Sequence, residues 1–150
     1  MRAQKSFLIP VISLFLGLIA AISLAQQAPA TAPTSKAHVL TVAELDQWLD
    51  KPEEVVLIDL RRPDEVSTIG GFPVYLSIQL SQLESSISWI PRNRKIITVS
   101  NHAARAGKAA DLLASKGFTV IGAVGADSYE KEGGHRVVHI AIPPPKAANP

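Results

Sequence analysis

Apolar residues recur along this chain at two different spacings, and the two alternate. Val42, Leu45, Trp48 and Leu49 fall on one face of a helix. Thr41 with Glu44 forms a capping-box signature at its start, each side chain placed to satisfy an orphan amide. Val55-Val56-Leu57-Ile58 is a continuous apolar run that stops at Asp59, the pattern of a strand buried on both faces. Residues 75–80 predict a weaker strand. Ser81 with Glu84 repeats the capping box, and Leu83, Ile87 and Ile90 predict a helix that ends at the Pro91-Arg92-Asn93 turn. Ile96 to Val99 is a second buried strand, ending at Ser100. Ala106, Ala109, Ala110 and Leu113 share one helical face, with Gly117 as a left-handed stop. Residues 118–124 predict a third strand, 127–132 a short helix, Gly133-Gly134 a turn and 137–142 a last edge strand.

Buried strands separated by helices specify an α/β fold with a parallel sheet covered on both faces. Ligands of such sheets bind beyond the carboxyl ends of the strands. That rule selects Asp59-Leu60-Arg61 and the loop Ser100-Asn101-His102-Ala103-Ala104-Arg105.

The ends of the chain read differently. Arg2 and Lys5 precede an uncharged stretch from Phe7 to Ala25, closed by Ser23-Leu24-Ala25. This is the pattern of an export signal cleaved after Ala25. A retained membrane anchor is the alternative, since the stretch approaches the ~20 residues that span a bilayer. Pro10, Ser13, Gly17 and Ser23 dilute it. Either way the domain is expected outside the cytoplasm, periplasmic or secreted if cleaved and facing outward if anchored. Residues 26–37, rich in Ala, Pro, Thr and Gln, predict a tether, and Pro143-Pro144-Pro145 with residues 146–150 predicts a tail. One domain over 38–142 remains.

Charge then removes one class of partner. Fifteen basic residues face thirteen acidic ones, and losing Arg2 and Lys5 with the leader leaves thirteen against thirteen. A neutral domain is not a nucleic-acid binder by charge. The absence of cysteine excludes disulfides, thiolate metal sites and thiol catalysis. No metal or other cofactor is expected: His38, His102, His135 and His139 are scattered, and on a strand His135 and His139 would sit ~13 Å apart at ~3.3 Å per residue.

The Ser100–Arg105 loop lies between a strand and a helix N-terminus, where amides and the helix dipole favour an anion. Arg105 would add a charge-assisted bond and His102 a donor. The competing reading is a vestigial loop in which Ser100 satisfies an amide and Arg105 lies on the surface. A Ser100 nucleophile with His102 as base lacks the Gly-x-Ser-x-Gly setting, and residues two apart rarely meet in such geometry. Asp59 and Arg61 are expected to be structural, the acid holding loop amides and the Arg reaching an acid nearby. Trp48 and Trp89 are expected to pack at the core or its rim.

Together these pieces resemble the rhodanese-like domain family. Leu57-Ile58-Asp59-Leu60-Arg61-Arg62-Pro63-Asp64-Glu65 is similar to the family's Asp-x-Arg followed by a Pro-x-Glu turn. The run from Gly70 to Leu80 aligns without a gap to its Gly-His-Ile-Pro-Gly-Ala-x-Asn-Ile-Pro-Leu block. Residues 96–99, the Ala109-Ala110-x-Leu112-Leu113 helix, Gly117-Phe118 and Val124-Gly125-Ala126 follow in the family's order. The resemblance spans about 41–137 and implies a three-layer sandwich around a mostly parallel five-stranded sheet.

The departures carry the functional expectation. The family's catalytic Cys opens the active-site loop and holds a persulfide; that position is Ser100. A serine hydroxyl forms no stable persulfide, so sulfur transfer is excluded and the Cys-dependent phosphatase chemistry of relatives is disfavoured. The family's His is Gly71, its Gly-Ala is Val74-Tyr75, and Ala103 stands where the loop has an internal Gly. Arg105 keeps the closing basic residue. The resemblance therefore implies a binding or interaction module, for a small oxyanion or a protein partner. The alternative is an enzyme that acts on an anionic group through Ser100–Arg105.

Overall fold

The computed structural model describes residues 35–139. The expected export segment, most of the expected tether and the expected tail lie outside these residues. Among the described residues no helix is long and apolar enough to cross a membrane.

The expected α/β order is present. Helix α1 (Val42–Leu49) precedes strand β1 (Val55–Asp59), helix α2 (Pro63–Ile69) and strand β2 (Leu76–Ser77). Strand β3 (Lys95–Ser100), helix α3 (Ala104–Ser115), strand β4 (Val120–Gly125) and helix α4 (Ala126–Lys131) complete it. The Thr41–Glu44 capping box forms in both directions, with the Thr41 amide 2.8 Å from Glu44 Oε2 and the Glu44 amide 3.3 Å from Thr41 Oγ1.

All paired strands are parallel, in the order β2-β1-β3-β4. Because side chains alternate along each strand, the sheet has a core on each face. Leu57, Ile97, Val99 and Val124 face α1 and α4, meeting Leu45 and Tyr129. Ile58, Ile96 and Ala123 face α3, meeting Ala106, Ala109 and Leu113. The alanines of α3 let its backbone lie close to the sheet. Buried Thr98 uses that closeness, its hydroxyl donating to the Ala106 carbonyl at 2.8 Å.

Several local expectations are corrected. Among the described residues the sheet has four strands rather than five. The position beyond β4 is taken by a single parallel bridge, Val39 to Ala123, with Leu40 N donating to Ala123 O and Ala123 N to His38 O. The expected 137–142 edge strand reduces, within the described residues, to one antiparallel bridge between Val138 and Gly71. The expected strand 75–80 is only Leu76–Ser77, whose side chains are exposed, so no buried face holds it longer. The helix expected from Ser81 is two short 3₁₀ turns, Leu80–Gln82 and Ile87–Trp89. Ser85, Ser86 and Ser88 explain this: serine hydroxyls compete for backbone groups, and Ser85 Oγ bonds Gln82 O at 2.9 Å. Helix α2 forms where only a turn was expected, started by Pro63 at its first position. Residues 35–37, read as tether, are pinned to α3 through Lys36 N to Asp111 Oδ2 at 3.0 Å. Trp48 packs beside the core, but Trp89 is 80% exposed.

Gly122 shows what seats the Val39 bridge. A Cβ there would lie 2.6 Å from the His38 carbonyl oxygen and 3.0 Å from Leu40 Cγ. Gly122→Ala is expected to cost about 1–3 kcal/mol, the usual cost of overpacking. Urea denaturation of the purified domain measures it, and an unchanged midpoint would mean that residues 38–40 yield freely.

Candidate functional site

The carboxyl ends of β1 and β3 lie side by side, since Asp59 pairs in register with Val99. Beyond them sit the two segments that the fold class selects. Asp59 and Arg61 are both fully buried and hold each other. Arg61 Nη2 donates to Asp59 Oδ2 at 2.7 Å and Nε to Oδ1 at 2.9 Å, while the Arg61 amide donates to the same Oδ1 at 3.0 Å. The carboxylate thus ties down both the side chain and the backbone of the turn that follows β1.

Glu65, in the first turn of α2, joins this turn to the loop after β3. Its two oxygens accept from Arg105 at 2.6 and 2.9 Å, from Asn101 Nδ2 at 2.9 Å and from the Arg62 amide at 2.9 Å. Hydrogen bonding to Arg105, then to the Arg62 amide, lowers the Glu65 pKa to about 2, and the same partnership raises that of Arg105. Arg105, expected to meet an anion or to lie on the surface, closes its fork on a carboxylate of the same chain. In the sequence Glu65 stands out only as the acid of the Pro-x-Glu turn. The available signal was its place three residues after Arg62, the position from which an acid reaches back to a helix start.

Ser100 is buried, and its hydroxyl oxygen accepts the Ala106 amide at 3.1 Å. That amide is one of the unpaired donors of the first turn of α3. His102 points the other way: it is 72% exposed and its Nδ1 lies 3.4 Å from Asp127 Oδ2. Among the described residues no hydrogen bond joins His102 to Ser100, so a Ser-His dyad is not assembled.

Ala103 takes a φ of +48°, the single non-glycine residue with positive φ among those described. This is the position where the family pattern has glycine, and an L-residue there costs roughly 1–2 kcal/mol. The loop is held over β4 by Gly125, where a Cβ would lie 2.8 Å from Asn101 O and 2.9 Å from Ala103 N. Two buried polar atoms, Arg61 Nη1 and Asn101 Oδ1, have no partner among the described residues. No group of three or more His, Cys, Asp or Glu is placed to hold a metal among them.

No protein-family model matches this sequence, and no curated protein matches it. Solved structures do. A rhodanese-related protein from Thermoplasma volcanium superposes with a TM-score of 0.58 at 22% identity, over 65% of this chain and 95% of its own. A rhodanese-like domain protein from Staphylococcus aureus gives 0.57 at 18% identity, over 69% and 98%. A thiosulfate sulfurtransferase from Pseudomonas aeruginosa gives 0.51 at 27% identity over 73% of this chain, which spans 21% of that protein. The fold is that of rhodanese-like proteins, with four paired strands in the sheet.

Two outcomes follow from the charges. Arg61→Met or Asp59→Leu alone strands a buried charge and is expected to cost about 3–5 kcal/mol, while the double variant costs less than the sum of the two. A urea double-mutant cycle measures this. Glu65 has a folded-state pKa below its unfolded value, so its contribution is complete above about pH 5 and is lost as pH falls toward about 2. Glu65→Gln is expected to flatten that part of the stability-against-pH curve; an unchanged slope would show that the Arg105 pairing contributes nothing to folding.

Proposed function

We propose that this chain is a rhodanese-like domain without sulfurtransferase activity, exported from the cytoplasm, that works as a binding module. The observation that carries this reading is Ser100. It stands at the position that opens the loop, where sulfur transfer requires a thiolate. Its oxygen is buried and spent on the Ala106 amide, which makes it part of the helix start. The chain has no cysteine to take over. An enzyme acting on an anionic group through this loop would need a base on Ser100, and His102 faces Asp127 instead. Export rests on the Arg2-to-Ala25 pattern alone, and sequencing of the mature N-terminus checks it.

A second reading, oxyanion binding at the loop, is favoured by one observation. The buried Arg61 Nη1 is a donor without a partner at the carboxyl end of the sheet. A small oxyanion bound there would also gain from the positive end of the α3 dipole. It would compete with Glu65 for Arg105, which places the affinity on the order of millimolar or weaker.

Thiosulfate:cyanide turnover is expected at the level of a heat-killed control, and turnover above it would overturn the proposal. Phosphate titration followed by amide NMR tests the second reading. Shifts in residues 101–106 are expected at millimolar phosphate, and Glu65→Gln, which frees Arg105, is expected to tighten binding about ten-fold, the effect of one well-formed charged bond. Unmoved signals at tens of millimolar would confine the loop to a structural role.

A further inference from the structure

The amino-terminal half of β1 has an unpaired edge. Glu54 O accepts from Lys95 N, and Leu60 N donates to Val99 O, so the even-numbered residues of this strand bond toward β3. The odd-numbered residues therefore turn their backbone groups to the opposite edge, where Asp59 O accepts from Ile78 N. On that edge β2 pairs only with Ile58 and Asp59. The chain before β2 bends at Pro73–Val74, and Pro73 has no N–H to offer. Val55 N–H and C=O and Leu57 N–H have no backbone partner on that side among the described residues.

A groove of about 450 Å³ lies along this edge, within the range of ligand pockets. Val55, Val56 and Leu57 all line it, although consecutive side chains point to opposite faces; it is the strand's backbone edge that forms the wall. Its other walls include Pro73, Tyr75, Leu76, Trp89 and Pro91. Trp89 is 80% exposed and Val74 73%, which leaves large apolar groups at the rim uncovered by the described residues. Two guanidinium groups also line the groove. Arg136 is paired with Asp50 at 2.7 Å. Arg94 donates to the Pro52 carbonyl at 3.1 Å and has no carboxylate partner among the described residues.

We propose that this groove binds an extended, apolar peptide segment of a partner protein, added as a strand beside β1 with an acidic residue on Arg94. Each feature matches one part of such a ligand. The free strand edge takes main-chain hydrogen bonds, as in recognition by strand addition. Trp89 supplies an apolar anchor of the kind that dominates interfaces. Arg94 supplies the charge that an acidic side chain completes. The groove lies at the amino end of β1, opposite the Ser100 loop, so the proposal does not depend on that loop.

The test uses the full chain and the peptide acetyl-Val-Thr-Val-Thr-Val-Glu-amide. Binding is expected to shift the Val55 and Leu57 amides and the Trp89 indole. Trp89→Ala is expected to weaken it about ten-fold. Replacing the peptide's Glu by Gln is expected to weaken it about five- to ten-fold, and to have no further effect in an Arg94→Gln background. A peptide N-methylated at alternate residues, with its strand-pairing donors removed, is expected not to bind. Equal binding of the N-methylated peptide, or indole shifts without amide shifts, would overturn strand addition. So would no binding at millimolar peptide. Slow hydrogen exchange at Val55 and Leu57 in the free protein would show the edge already occupied, by this chain or a second copy, and would also overturn the proposal. Circular dichroism of each variant confirms that it folds.

Discussion

The buried pair of Asp59 and Arg61 sets the end of β1 and, through it, the rest of the site. A charge withdrawn from water is tolerated only when its partner and its hydrogen bonds are in place. The pair meets this by folding back on itself: one carboxylate takes both the guanidinium and the amide of the same arginine. The chain leaves the sheet in one direction, Pro63 starts α2, and the first turn of that helix carries Glu65 to the loop after β3. Three successive elements are positioned by one constraint, and the loop is gripped by the last of them.

Within that grip the polar groups of the loop bond within the chain. Ser100 takes the Ala106 amide, Glu65 takes Arg105 and Asn101, and Asp127 faces His102. Ala103 holds the turn at positive φ where glycine would relax it, and Gly125 lets the loop backbone settle on β4. As an acceptor for the Ala106 amide, Ser100 ties the loop to the start of α3. Among the described residues Arg61 Nη1 and Asn101 Oδ1 are buried without a partner. The other incomplete surface is at the far end of β1, where β2 is too short to cover the strand.

The parallel sheet and its two cores were legible in the apolar pattern. Four consecutive apolar residues at 55–58 and at 96–99 cannot sit in a strand with one wet face, so a parallel sheet covered on both sides followed from pattern alone. The capping box at Thr41 and the small-residue face of α3 were legible for the same reason: they are local, and physical rules link neighbours three or four apart. The Asp59–Arg61 pair, two residues apart, was also within reach of local reasoning. Partners distant in sequence lie beyond such rules. Glu65 and Arg105 are forty residues apart, and no spacing rule says that a carboxylate from α2 will close the fork of an arginine from α3. The short β2 and the 3₁₀ turns after it depended on how little apolar surface the edge of the sheet offers to be buried. Trp89 fell outside because its helix never formed. Helical periodicity places a residue on a face only when the helix exists, and that is settled by packing against the rest of the molecule.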